Sequence, residues 1–288
     1  MVRLLSPGEI TRMLDSRGLR ANKSLGQNFI VDANHLKKIV CAADINADAR
    51  VLEIGPGIGT LTRELAVRAD HVRCIEIDRG LVGVLREVCA DLPNVSIVHE
   101  DALKADLEEH FRQLLLGQQN KAVVCANLPY YITTSLIMKL LEQRGWISRM
   151  VLLMQREVAA RIAASAGSPD YGAISVAVAY SARVTVVGEV PPQAFYPRPK
   201  VTSALVKLEP FQTPSIEPEI EKTLFLVVKA AFGQRRKTLR NSLLSLADRH
   251  TVDSVLAETG IEPQRRGETL ALSEFATIAR EFASLQKQ

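Results

Sequence analysis

From residue 50 onward, short β-rich apolar runs alternate with stretches of helical periodicity. The runs are 50–54, 72–77, 95–99, 122–126 and 150–154, and between them lie helical segments 60–69, 79–90, 107–115 and 134–143. A strand that returns through a helix runs parallel to the strand before it. The expected fold class is therefore α/β, a mostly parallel, doubly wound sheet with helices on both faces. Asp32 is placed to N-cap a helix through residue 42. Residues 173–181 are ambiguous, because Ile174, Val176, Val178 and Tyr180 alternate like a strand while the alanines permit a helix. Two further strands are expected at 184–190 and 204–208. Segment 211–218 carries Pro and Thr and reads as a linker, and 219–288 shows helical periodicity alone. The expected division is a domain over 1–210 with an N-terminal lid, a linker over 211–218 and a small all-helical domain over 219–288.

Composition narrows the class further. Of 288 residues, 47% are hydrophobic and 24% charged, which excludes disorder as the main state. No apolar run nears the roughly 18 residues of a membrane span, and the first residues lack the apolar core of a secretory signal. Cys41, Cys74, Cys89 and Cys125 form no CxxC pair and read as reduced thiols of a cytoplasmic protein. The five histidines show no metal-ligand spacing, so no metal is expected.

Charge is unevenly spread. Residues 44–126 hold nine basic and fourteen acidic residues, net −5, leaving +9 for the rest of a +4 chain. The first 27 residues are net +3, with Arg3, Arg12, Arg17, Arg20 and Lys23, and residues 144–200 are net +4. FGQRRKTLR packs Arg235, Arg236, Lys237 and Arg240 into nine residues. An acidic centre with basic flanks suits a small cationic ligand and a large polyanion, although solvated helix faces produce the same pattern.

The first strand of the alternation ends in VLEIGPGIGTLT. Gly55, Gly57 and Gly59 follow a buried strand and open a helix, where glycines permit a tight turn and close backbone approach to a ligand. A dinucleotide turn requires a small residue where Thr60 stands. The spacing is instead E-x-G-x-G-x-G, with Glu53 inside the strand, and resembles motif I of S-adenosylmethionine-dependent methyltransferases. Glu76 closes the second strand, 21 residues after Gly55, where a carboxylate can accept from both ribose hydroxyls. Asp101 follows the third strand and can accept from an adenine amino group. Three such groups at successive strand ends mark a ligand site.

The fourth strand runs into Asn127-Leu128-Pro129-Tyr130. Adenine N6 is a poor nucleophile because its lone pair is delocalised into the ring. Two acceptors on its hydrogens, the Asn127 side-chain oxygen and the Leu128 carbonyl, would favour a tetrahedral nitrogen with its lone pair free. Pro129 stiffens the turn and biases Leu128 toward an extended conformation. Tyr130 offers a ring for stacking on an extruded base. The same tetrapeptide also reads as a plain strand-to-helix turn with Tyr130 in the core.

Taken together, SLGQNFI (24–30), EIGPGIGTLT (53–62), EIDRGL (76–81), NLPYYITT (127–134), VPPQAFYPRPKVTSALVKL (190–208) and FGQRRKTLRNSL (232–243) resemble the ribosomal RNA adenine N6,N6-dimethyltransferases. The bacterial enzymes acting on small-subunit rRNA are the nearest in pattern. The stretches run nearly end to end, and SLGQNF and FGQRRKTLRNSL are specific to that family. The resemblance implies a class I methyltransferase, Rossmann-like fold, S-adenosylmethionine as cofactor, and no metal. It implies dimethylation of two adjacent adenosines in the 3′-terminal hairpin loop of 16S rRNA, during small-subunit biogenesis, by a cytoplasmic monomer. Asn28 and Ile30 would touch the cofactor from the lid, Gly55 its methionine portion and Glu76 its ribose. Asp101, with backbone help from Ala102, would read its adenine, and Asn127 would touch cofactor and target base. Phe195 would face Tyr130 across the flipped adenine. Glu53, Gly57 and Gly59 complete the cofactor set, while Arg235, Arg236, Lys237 and Arg240 would contact the rRNA backbone. Tyr131 stands where the family usually has Asn, which bears on pocket shape rather than chemistry, and Ile30 stands where Leu is common.

Other readings compete. They are an antibiotic-resistance methyltransferase of large-subunit rRNA, a DNA adenine methyltransferase, and a non-catalytic assembly or transcription factor that kept the fold. The two family-specific stretches weigh against the first. The 70-odd helical residues are small for a DNA-reading domain. Intact Glu53, Glu76, Asp101 and NLPY weigh against the third.

Overall fold

The computed structural model describes residues 6–22, 25–213, 216–234 and 236–285. The chain forms two compact units, one of 1–159 with 184–210 and one of 160–183 with 211–288.

The first unit is built on a sheet of seven strands. Five are parallel: β2 (Arg50–Ile54), β3 (His71–Glu76), β4 (Val95–His99), β5 (Ala122–Asn127) and β6 (Ile147–Gln155). With β7 (Ala182–Val190) and β9 (Ser203–Pro210), the order across the sheet is β4-β3-β2-β5-β6-β9-β7. β9 runs antiparallel to β6. The five runs expected from the alternation and the two further strands are all present. β2 and β5 are buried along nearly their whole length, as strands covered on both faces must be, while β4 at the sheet edge is only half-buried.

Helices α3 (Thr60–Ala66), α4 (Arg79–Val88), α5 (Leu107–Leu114) and α6 (Thr133–Glu142) connect the parallel strands. Local chemistry starts several of them. Asp78 Oδ1 accepts from the Gly80 and Leu81 amides at 2.8 and 3.2 Å, and Asp106 Oδ1 accepts from the Glu109 amide at 3.0 Å. The expected Asp32 cap forms as well, its Oδ1 accepting from the Asn34 and His35 amides ahead of α2 (Ala33–Ala43). Ahead of it, α1 (Pro7–Asp15) begins in a reciprocal capping box of Ser6 and Glu9.

Strand order reverses between β2 and β5, since β2 pairs with β3 on one side and β5 on the other. The crevice beyond the carboxyl ends of two such strands is where an open α/β sheet binds ligands. It lies between the glycine turn after β2 and Asn127 at the end of β5. A two-stranded ribbon that the sequence did not reveal, β1 (Phe29–Ile30) with β8 (Phe195–Tyr196), pairs antiparallel.

The second unit has its own apolar core. α8 (Ala173–Ser181) settles the ambiguous segment as helix. Its residues are buried nearly all round, which erases the one-sided pattern that marks a surface helix. Val176 and Tyr180 join Leu224, Val228, Phe275 and Ile278 in one cluster, and Tyr180 meets Phe225 edge-on at 5.4 Å. The units divide after 210, but the expected placement of 160–183 in the first domain is corrected, because these residues group with the C-terminal helices α9 (Glu221–Gly233), α10 (Leu239–Leu243), α11 (Arg249–Glu258) and α12 (Leu272–Leu285). Within the expected linker, Ile216 is buried in that core and the Phe211 amide donates to the Ser181 carbonyl, so these residues belong to the packed unit. Among the described residues, no helix is long and apolar enough to cross a membrane. None of their His, Cys, Asp and Glu side chains form a group of three or more placed to hold a metal ion.

Candidate active site

An open cavity occupies the crevice at the strand ends, with about 860 Å³ of empty space when the solvent at its mouth is included. Asn28, Ile30, Glu53, Gly55, Gly57, Glu76, Asp101, Ala102, Asn127 and Pro129 line it, so most of the sequence-predicted residues meet around one space. Its described lining carries four carboxyl groups, Glu53, Glu76, Glu100 and Asp101, and no Lys, Arg or His. Ile58, Ile75 and Leu81, none of them singled out as a site residue from the sequence, supply an apolar wall.

The glycine turn divides its labour. Gly55 has φ +70°, and a Cβ there would approach the Asn127 carbonyl oxygen at 3.8 Å. Gly57 has φ +60°, and its Cβ would meet the Phe29 ring at 3.0 Å. Gly59 is not at the cavity. It caps α3, and a Cβ there would lie 2.8 Å from Leu85 Cδ1 on α4, so it serves helix packing rather than ligand contact.

Glu76 is 4% exposed. Its Oε2 accepts from the Gly57 amide at 3.0 Å and its Oε1 from the Asp78 amide at 2.9 Å. Each oxygen keeps a further lone pair. Burial pushes its carboxyl above the usual range, although these two amides oppose the rise. Glu53 is 1% exposed, and burial raises its carboxyl to about 7. The Cys74 thiol, which donates to Glu53 Oε2 at 3.6 Å, partly offsets that rise, and Glu76 adds to it.

Gln27 and Asn28, in the segment expected to form a lid, are each hydrogen-bonded near the carboxyl end of a parallel strand. Gln27 Nε2 donates to Asp78 Oδ2 at 2.8 Å, and Asn127 Nδ2 donates to the Asn28 carbonyl at 2.7 Å. The second bond settles the Asn127 amide, because a carbonyl can only accept. Nitrogen faces Asn28 and the side-chain oxygen is left as an acceptor. Ser24, at the start of SLGQNFI, lies outside the described residues.

Two expected positions, Tyr130 and Phe195, are placed otherwise than the sequence reading has them. Leu128 is 2% exposed, so its side chain is core and only its backbone is available to a ligand. Tyr130 is half-buried beside the cavity, not among its lining residues, and its hydroxyl pairs with Ser203 Oγ at 2.8 Å, a bond no motif suggested. Phe195 is 2% exposed and packs in the apolar cluster with Ile30, Leu153 and Leu205. Its pairing with Ile30 in the ribbon turns the ring into the core, so it does not line the cavity in this structure. Tyr131, by contrast, is 58% exposed at the lining.

The basic cluster also divides. Arg235 lies outside the described residues. Arg236 and Lys237 are exposed, and Arg240 is held by Asp253 of α11, with Nε 2.6 Å from Oδ1. That ion pair leaves Arg240 less available to a phosphate than its neighbours in sequence.

The profile of the family described as "Ribosomal RNA adenine dimethylase" matches residues 18–284. The protein "Ribosomal RNA small subunit methyltransferase A" of Alkaliphilus metalliredigens is 42% identical, over 99% of this chain and 100% of its own. The protein of the same name from Geobacillus kaustophilus is 44% identical over 98% of each. Among solved structures, a dimethyladenosine transferase from Plasmodium falciparum superposes with a TM-score of 0.75 at 26% identity, covering 89% of this chain and 98% of that one. The 23S rRNA methyltransferase ErmE superposes with a TM-score of 0.67 at 27% identity, covering 89% of this chain and 100% of that one.

Proposed function

Since the chain belongs to the ribosomal RNA adenine dimethylase family, we propose that it transfers methyl groups from S-adenosylmethionine to N6 of two adjacent adenosines in the 3′-terminal hairpin loop of small-subunit 16S rRNA. The product is N6,N6-dimethyladenosine, made during small-subunit biogenesis in the cytoplasm by a monomer. The observation that carries the reading is the cavity's composition, four carboxyl groups with no described cation, meeting the acceptor-oriented Asn127 at the strand-order reversal. Such a lining repels a pyrophosphate and favours a ligand bearing a sulfonium and an ammonium.

The residues fit that cofactor. Glu76 offers lone pairs on both oxygens to a vicinal diol, and Asp101 with Ala102 lies along the lining where an adenine would be read. Gly55, Gly57, Asn28, Ile30 and Glu53 surround the remainder. When bound, S-adenosylmethionine supplies a methyl group on a sulfonium, which N6 takes as the neutral thioether leaves and one N6 proton passes to water.

The chain's own work is positioning and polar preorganisation. Asn127 presents its side-chain oxygen, and Leu128 its backbone carbonyl, to the N6 hydrogens. Pro129 holds the turn, and Tyr130 supplies a ring beside the target base. Phe195 faces that base once its ring leaves the core. After one methylation a single N6 hydrogen remains, so one acceptor contact is kept and the methyl takes the place of the other. Arg235, Arg236 and Lys237 contact phosphates of the rRNA, with Arg240 in a lesser part because of Asp253.

The test is transfer of labelled methyl to unmodified small subunits, naked rRNA and duplex DNA, with N6,N6-dimethyladenosine counted after digestion. Dimethylation of small subunits is expected. Label confined to large-subunit RNA or DNA overturns the substrate, and subunit binding without label overturns the chemistry.

A further inference from the structure

Lys139 lies in the last turn of α6, the helix that follows the Asn127-Leu128-Pro129-Tyr130 turn. Its side chain reaches away from that turn to the loop between β4 and α5. There its ammonium donates to the carbonyl oxygens of Ala102 at 3.1 Å, Leu103 at 2.8 Å and Ala105 at 2.5 Å. An ammonium has three N–H donors, and all three are spent on this one turn.

The turn begins at Asp101. Its backbone carbonyl accepts from the Lys104 and Ala105 amides, both at 2.8 Å, and its Oδ1 accepts from the Leu103 amide at 2.9 Å. Winding the backbone this tightly points three carbonyls at one spot, where they repel one another unless a cation sits among them. Lys139 is that cation. The loop's own hydrogen bonds do not use Asp101 Oδ2, whose partner is a long ion pair with exposed Lys104, Nζ at 4.0 Å. Asp101 and Ala102 both line the cavity.

We propose that Lys139 is a positioning residue that sets the adenine selectivity of the cofactor site, by clamping the 101–105 turn that presents Asp101 and Ala102. This rests on the reading of the cavity as an S-adenosylmethionine site. Lys139 touches no ligand itself. It acts through the turn, and it joins the helix that leaves the target-base motif to the loop that reads the cofactor's base.

The experiment measures dissociation constants of two probes, S-adenosylhomocysteine and S-inosylhomocysteine, by titration calorimetry. The second carries an oxygen where the first carries the 6-amino group. Wild-type protein is expected to prefer the adenosyl probe by about tenfold or more, the worth of a hydrogen bond to a charged acceptor. Lys139→Met keeps the length of the side chain without its donors, and is expected to bring the two constants within about threefold of each other. Lys139→Arg, which restores donors, is expected to recover most of the preference. A role in stability alone would weaken both probes equally and leave their ratio at the wild-type value, and that result overturns the proposal. If Lys139→Met does not fold, Lys139→Gln, with one amide to serve three carbonyls, carries the same comparison, and an unchanged ratio there overturns it. Wild-type protein that binds neither probe overturns the cofactor reading, and the proposal with it.

Discussion

Glu53 is the fourth of the five residues of β2, and replacing it with Gln tests how far burial governs this site. Unfolded, its carboxyl loses a proton near 4.5, and in the native protein near 7. Between those values the native state holds a proton that the unfolded state has released. Stability from this group is therefore complete below about pH 4.5 and declines as pH rises through about 7. At about 1.4 kcal/mol per pH unit, ionised Glu53 costs the ligand-free native state about 3 kcal/mol by pH 8. Glu53→Gln removes that decline while Glu76, also raised by burial, keeps its own, so the difference between the two proteins reports Glu53 together with its repulsion from Glu76. The chain has two compact units, so opening is followed by amide exchange in β2 and β3, corrected for intrinsic exchange, from pH 5 to 8.5. The wild-type protein is expected to lose about 2 to 3 kcal/mol more than the variant across that range, since part of the decline is already complete at pH 5. Equal losses would refute the argument that the Glu53 carboxylate is held in a low-dielectric environment.

The remaining predictions concern the target side. Asn127→Ala is expected to lower kcat by about tenfold or more with little change in rRNA affinity, and equal losses in single-turnover rate and binding would remove its role as acceptor. Tyr130→Phe keeps the ring but strips Ser203 Oγ of its partner, at a cost of about 1 kcal/mol read by chemical denaturation. A Tyr130→Phe protein as stable as wild type would show that the hydroxyl pair contributes nothing. Arg236→Gln with Lys237→Gln is expected to weaken rRNA binding and to flatten its dependence on salt by about 0.7 to 0.9 in log–log slope per lost phosphate contact. Arg240→Gln should flatten it less, because Asp253 already occupies that guanidinium. An equal effect of all three would contradict the division of the cluster.

Much of the architecture was legible because local and global signals agree. The period changes from strand to helix at each crossover, and Asp32, Asp78 and Asp106 each start a helix with a cap. The ribbon of Phe29–Ile30 with Phe195–Tyr196 was not legible, since two-residue strands have no period and their partners are far apart in sequence. Segment 173–181 stayed open between strand and helix for a different reason. A helix buried all round shows no polar face, and its valines imitated a strand.

The same line divides the site. Glycine spacing, the acids at strand ends and the Asn-Leu-Pro-Tyr turn are local chemistry, and they mark a ligand crevice at the strand ends from the sequence alone. Which face each residue presents is decided by contacts that no local pattern encodes. Gly59 answers to Leu85 on the next helix rather than to a ligand. Phe195 is core because Ile30 pairs with it. Tyr130 spends its hydroxyl on Ser203, 73 positions away, and Lys139 spends its ammonium on a turn more than thirty residues earlier. Sequence determines the local chemistry available at each strand end, because backbone geometry and side-chain type act over a few residues. Tertiary packing decides which of those groups is used and how it is aimed, because burial and long-range hydrogen bonds exist only once the chain has folded.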